Sequence, residues 1–303
     1  MTLPSRVVIK EVGPRDGLQN ESAFISTDDK VELVNRLSSA GFKYIEVTSM
    51  VHPKWIPALA DGVDVLKRIK RMEGIEYSAL VPNERGLQRA LEAGVDAVNV
   101  FMSASESHNR KNINKSIADT YPVLEPVVRQ AKDLGLPVRG YVSTVFGCPY
   151  EGRVSPRKVV EVSKRLLDMG IDELSLGDTI GVAVPSQVTE VVKSLTSALP
   201  SSQLALHFHN TRGMAIANVL AGMQAGIYIF DGSVGGLGGC PYAPGASGNV
   251  ATDDLLYLFH QMGIETGVDE AEVADVTRWL EGVMSKPLQS HARTVKRGEE
   301  DAE

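Results

Sequence analysis

The chain has 303 residues, 43% of them hydrophobic and 23% charged, and a formal net charge of −7, which is ordinary for a globular protein able to bury its own core. Its basic residues are scattered, which excludes the basic stripe of a nucleic-acid-binding surface, and no apolar run approaches the ~18 residues of a membrane span. Two cysteines, Cys148 and Cys240, are too few for a disulfide framework and fit a reducing compartment; with no signal or transit pattern in "MTLPSRVVIKEVG", a cytoplasmic location is expected.

Along the chain, short apolar or alternating runs recur at 7–13, 44–49, 76–81, 97–102, 137–144, 173–178, 204–209 and 228–234. A stretch of helical period follows each run. Segment 28–41 starts acidic and stops at glycine. Segment 155–170 has Ser155 as cap, Pro156 in the first turn and Gly170 at its end. "ERGLQRALEAG" and "AIANVLAGMQAG" also close on glycine, a common helix terminator. Eight strand–helix alternations predict one α/β domain, a (β/α)8 TIM barrel over about 7–255. Additional helices are expected at about 255–290, with a charged, unstructured tail over 291–303.

Such barrels carry chemistry at the C-terminal ends of their strands. The first run exits into "GPRDGLQNE", supplying Arg15, Asp16, Gln19 and Asn20. The second places Glu46 and Thr48 two apart, hence on one face. The sixth ends at Asp178, and the seventh carries His207 and His209 on one side of the strand, with Leu206 and Phe208 on the other. The eighth leads into "GGLGGCPYAPGASGN", a glycine-rich loop around Cys240 that matches neither nucleotide-binding fingerprint and reads as a lid or cradle. Two imidazoles at one strand exit can bind a single cation. A carboxylate such as Asp16 adds an oxygen ligand suited to magnesium or manganese, and no cysteine pair has zinc-site spacing. The alternatives are a hydrogen-bonded core histidine pair, a surface turn at Arg15–Asp16, caps or ordinary ion pairs at Glu46 and Asp178, and a buried filler at Cys240.

"EVGPRDGLQNE", "EVTSMVHPKWIP", "SLGDTIG", "HFHNTRG" and "GGLGGCPYAPGASGN" together resemble the 3-hydroxy-3-methylglutaryl-CoA lyase family, over about residues 7–290. The resemblance implies a metal-dependent carbon–carbon lyase that cleaves 3-hydroxy-3-methylglutaryl-CoA to acetyl-CoA and acetoacetate by a retro-Claisen reaction, as in leucine degradation and ketone body formation. It implies metal ligands Asp16, His207, His209 and Asn249, a catalytic cation Arg15, supporting carboxylates Glu46 and Asp178, and a loop cysteine Cys240 that protonates the enolate carbon. His207 and Asp16 are both open as the general base. Arg110, Lys111 and Lys115 are either a site for coenzyme A phosphates or a solvated helix start. The surplus C-terminal helices suggest a homodimer. Asn210-Thr211-Arg212-Gly213 replaces the common Asp-Thr-Tyr-Gly, Asp253-Asp254 replaces Glu-Asp, and "ESHNRKN" is unusually polar. A related 3-hydroxy-3-alkylglutaryl-CoA substrate therefore stays open, as does, on chemistry alone, an acetyl-CoA-condensing synthase or an inactive acyl-CoA-binding barrel.

Overall fold

The computed structural model describes residues 3–21, 24–239 and 247–300. Eight parallel strands close into a barrel in chain order: β1 (Val8–Glu11), β2 (Tyr44–Ser49), β3 (Glu76–Leu80), β4 (Ala97–Ser103), β5 (Val138–Ser143), β6 (Glu173–Asp178), β7 (Leu204–Phe208) and β8 (Ile229–Gly232). Val8 to Glu11 pair with Ile229 to Gly232 to complete the ring. Each strand lies inside or within a residue of its expected run, because Gly, Pro and polar punctuation bounds them all.

The helices are α1 (Thr27–Ser39), α2 (Gly62–Arg68), α3 (Glu84–Ala93), α4 (Glu106–Ile113), α5 (Ile117–Asp133), α6 (Pro156–Asp168), α7 (Pro185–Thr196), α8 (Ala215–Gln224), α9 (Thr252–Gln261), α10 (Glu270–Met284) and α11 (His291–Glu300). Their apolar faces pack on the outside of the barrel: Leu33, Val34 and Leu37 of α1, for example, are fully buried. Gly94 ends α3 in the left-handed conformation, as its sequence pattern required. Ser155 stands at the N-cap of α6 but its hydroxyl makes no capping hydrogen bond.

Two boundaries differ from expectation. The eighth strand is followed by α9, so the division expected near 255 falls inside it, and the surplus C-terminal helices are α10 and α11, with α4 an extra helix between β4 and α5. The expected unstructured tail is helical through Glu300. Arg293 and Arg297 both reach Glu281 of α10, at 2.9 and 2.8 Å, and Ser290 Oγ donates to Asp254 Oδ1 at 2.9 Å. A long-range anchor thus organises a segment whose own sequence looked solvated. Among the described residues, no helix is long and apolar enough to cross a membrane.

Thr48 also departs from its expected face. The β2–β3 register shifts between Glu46 and Thr48, and one residue of slip sends a side chain to the opposite side of a sheet. Glu46 therefore points into the barrel, while Thr48 packs outward on α2. A methyl group added at Gly62 would sit 2.1 Å from Thr48 Oγ1 and 2.9 Å from its Cβ. Gly62→Ala is expected to cost roughly 1–3 kcal/mol by overpacking, despite the better helix propensity of alanine. A urea titration with a lowered midpoint and unchanged slope would report it.

Candidate active site

The loop after β1 does not run straight out of the barrel. The N–H groups of Arg15, Asp16 and Gly17 all converge on the Val12 carbonyl, at 3.1, 2.7 and 3.3 Å, forming one wide helical turn over Gly13–Gly17. Wide turns of this type are frequent at functional sites. Glycine is needed at both ends because the turn lies against the exit of β8. A Cβ on Gly13 would meet Glu11 Oε1 at 2.6 Å, and one on Gly17 would meet Ser233 Oγ and the Leu237 Cβ at 2.7 Å. Glu11 ties the two loops together: its Oε1 accepts from the N–H groups of Gly13 at 2.7 Å and Val234 at 3.0 Å, and its Oε2 pairs with the Thr252 hydroxyl at 2.6 Å.

This turn delivers Arg15 and Asp16 to the barrel mouth. Arg15 is buried, donates from Nε to Glu46 Oε2 at 2.6 Å, and forms a short ion pair with Asp16. Glu46 is fully committed: Asn99 Nδ2 donates to its Oε1 at 2.8 Å, and the Tyr141 hydroxyl donates to its Oε2 at 3.0 Å. The Tyr141 ring lies 5.0 Å from each of two guanidinium carbons, those of Arg15 and Arg139. Arg139 in turn pairs with Asp231 and Glu173, each at 2.6 Å.

His207 and His209 do share a side of β7, with ring centroids 5.3 Å apart. Together with Asp16 they bring one potential ligand atom each within 4.8 Å of one another. Asn249 joins them from the far side of the glycine-rich loop, through a bridge to His209 and a hydrogen bond from its Nδ2 to Asp16 Oδ2 at 2.9 Å. Two buried lone-pair bearers in this cluster, Asn249 Oδ1 and His209 Nδ1, have no hydrogen-bond partner. Buried polar atoms are ordinarily satisfied, so a pair of orphans beside a carboxylate fits a bound cation. Burial opposes the charge on Asp16, but the Arg15 guanidinium and the two imidazoles outweigh it and hold its pKa at about 2. Burial, reinforced by His207, lowers His209 to about 4, leaving it neutral and able to ligate.

The cluster opens into a cavity of about 970 Å³. Arg110, Lys111 and Lys115 line the same cavity, although Arg110 is also held by Glu106 at 2.8 Å. Asp178, expected beside the ligand residues, is occupied elsewhere: its oxygens accept from the N–H groups of Val182 at 2.9 Å and Ala183 at 3.1 Å. It organises the loop between β6 and α7, burial raises its pKa to about 6, and its reach to His207 is electrostatic. The carboxylate that contacts His207 from behind is Asp231, at 3.2 Å. Cys240 lies outside the described residues. Inspection of strand exits overlooked Asp231, Arg139, Tyr141 and Asn99, which sit within the strands. The available signal was a polar or charged residue inside "YIFDGSV", "PVRGYVST" and "AVNVFM", where a barrel core is usually branched and apolar.

Comparison with known proteins points the same way. A profile of the HMGL-like family matches residues 6–280. The chain is 55% identical over 290 residues to hydroxymethylglutaryl-CoA lyase YngG of Bacillus subtilis, covering 96% of this chain and 97% of that one. The crystal structure of the Bacillus subtilis HMG-CoA lyase matches with a TM-score of 0.97 at 54% identity, covering 98% of this chain and 100% of the other. An Acinetobacter baumannii HMG-CoA lyase, solved in complex with coenzyme A and 3-methylmalate, matches with a TM-score of 0.91 at 42% identity over 96% of this chain and 95% of its own.

The buried Glu11 carboxyl gives the β1 turn a pH signature. Desolvation raises its pKa from 4.5 to about 8. A raised folded-state pKa contributes stability that is full below the unfolded value and is lost as pH climbs through the folded one. Wild type should therefore lose stability relative to Glu11→Gln as pH rises between about 4.5 and 8, read from paired urea titrations across that range.

Proposed function

This chain belongs to the HMGL-like family, and we propose that it cleaves 3-hydroxy-3-methylglutaryl-CoA to acetyl-CoA and acetoacetate. The observation that carries this reading is the convergence of Asp16, His207 and His209 beside a buried arginine at the floor of a large cavity. A cavity of about 970 Å³ is large enough for the acyl end of a thioester, and Arg110, Lys111 and Lys115 on its wall suit the phosphates of coenzyme A.

Asp16, His207, His209 and Asn249 would hold a divalent cation, magnesium or manganese by the mixed oxygen and imidazole donor set. When bound, such a cation supplies a lowered pKa for the tertiary hydroxyl and a fixed orientation for it. That hydroxyl gives up its proton to one of two candidate bases, Asp16 or His207, whose Oδ2 and Nε2 atoms stand 3.8 Å apart. The C–C bond then breaks, leaving acetoacetate and the enolate of acetyl-CoA.

Arg15 is a permanent cation aimed at the place where that enolate charge develops. Glu46 and Asp16 grip it from two sides, so it needs little reorganisation as the charge appears. Glu46 itself is a poor proton acceptor, with both oxygens occupied; its role is to orient Arg15. Cys240 is assigned the proton delivered to the enolate carbon.

The test is acetyl-CoA release from 3-hydroxy-3-methylglutaryl-CoA after chelation and after magnesium or manganese is restored. Activity is expected to vanish and return with the cation. Arg15→Ala should lower kcat by roughly 10²–10³-fold, the range for removing one charge-stabilising group, with a smaller change in KM. A folded, cation-loaded protein that releases no acetyl-CoA would overturn the reading.

A further inference from the structure

Asp231 lies inside β8, has no counterpart among the residues singled out from the sequence, and is 2% exposed. Every direction around its carboxylate is occupied. Arg139 donates from Nη2 to Oδ1 at 2.6 Å and from Nη1 to Oδ2 at 3.2 Å. Ser175 Oγ donates to Oδ2 at 2.7 Å. The remaining neighbour of Oδ2 is His207 Nδ1, at 3.2 Å.

We infer that Asp231, clamped by Arg139 and Ser175, is a positioning residue that fixes His207 in its Nδ1–H tautomer and aims the Nε2 lone pair at Asp16 and His209. An ionised carboxylate can only accept hydrogen bonds. The proton shared with His207 therefore sits on Nδ1, so in the neutral ring Nε2 is the unprotonated nitrogen. Nε2 is the atom that faces Asp16, at 3.8 Å. The paired N–H groups of Arg139 and the Ser175 hydroxyl on these oxygens are the partners of an ionised carboxylate.

The clamp also explains why Arg139 is present. A buried carboxylate with only an imidazole beside it would drift towards neutrality or tilt out of line. A two-pronged guanidinium fixes both its charge and its plane. Glu173 grips Arg139 from the other side at 2.6 Å, and Lys10 grips Glu173 at 3.0 Å. The orientation of one imidazole at the barrel mouth is thus set by a chain of charges reaching to the opposite end of the barrel. Partners of this kind behind a ligating histidine commonly govern cation affinity.

This inference deepens the lyase reading, because it names what orients one of the proposed ligands, but its test does not need turnover. The tautomer of His207 is read in the cation-free, full-length protein at alkaline pH, where the imidazole is neutral, from ¹⁵N shifts, with the signals assigned by their loss in His207→Ala. Wild type should show Nδ1–H, and Asp231→Asn should shift His207 towards Nε2–H. The Mn²⁺ dissociation constant, followed by electron paramagnetic resonance, should rise roughly 10–100-fold in Asp231→Asn. An Nε2–H tautomer in wild type overturns the inference even if the variant fails to fold. A folded Asp231→Asn that binds Mn²⁺ as wild type does overturns it as well. Failure of the lyase reading would appear separately, as absent acetyl-CoA release by wild type with the His207 tautomer unchanged.

Discussion

Two guanidinium groups are buried inside the mouth of this barrel, and the rest of the site is arranged around keeping them paired. Taking an ion out of water costs several kcal/mol even after relaxation, so neither Arg15 nor Arg139 is left with a single partner. Arg15 faces Asp16 and Glu46, and Arg139 faces Asp231 and Glu173. Tyr141 lies near both, its hydroxyl donating to Glu46 and accepting from Arg139. With Lys10 on Glu173, the network holds four carboxylates against three fixed cations. At the mouth, Asp16 meets two unlike imidazoles: burial opposes a charge on His207, but Asp231 and Asp16 outweigh it and raise its pKa, whereas burial lowers His209 to about 4.

The backbone supplies what charge pairing cannot. Arg15 and Asp16 reach inward together because three successive N–H groups share the Val12 carbonyl, a turn wider than an α-helical one. Glu11 fastens that turn to the exit of β8, so the loop bearing the arginine and the loop leading to Asn249 are set relative to each other. The slip in β2 does comparable work. It sends Glu46 inward to Arg15 and turns Thr48 out against α2. The geometry of the charged groups thus depends on local departures from regular strand and helix.

Much of this was legible in the sequence. The eight strands follow from apolar runs bounded by glycine and polar residues, and helix ends such as Gly94 follow from the conformations only glycine adopts cheaply. His207 and His209 could be read as neighbours because alternation along a strand is local geometry. Thr48 was misread for the same reason: alternation assumes an unbroken register, and nothing nearby in the chain announces a bulge. The helical segment at 291–300 was also illegible, since its anchors, Asp254 and Glu281, are distant in sequence.

The sequence by itself determined the repeated strand–helix alternation, the barrel it implies, and the presence of a same-side histidine pair and an Arg–Asp turn at strand exits. These depend on periodicity, turn chemistry and residue type, all of which act over a few residues. Only the tertiary structure decided that Asp178 serves a loop while Asp231 stands behind His207, and that Arg139 belongs to the site at all. Those assignments depend on closing the ring: β5 and β8 are not neighbours in the sheet, and Arg139 meets Asp231 only across the interior that closure creates.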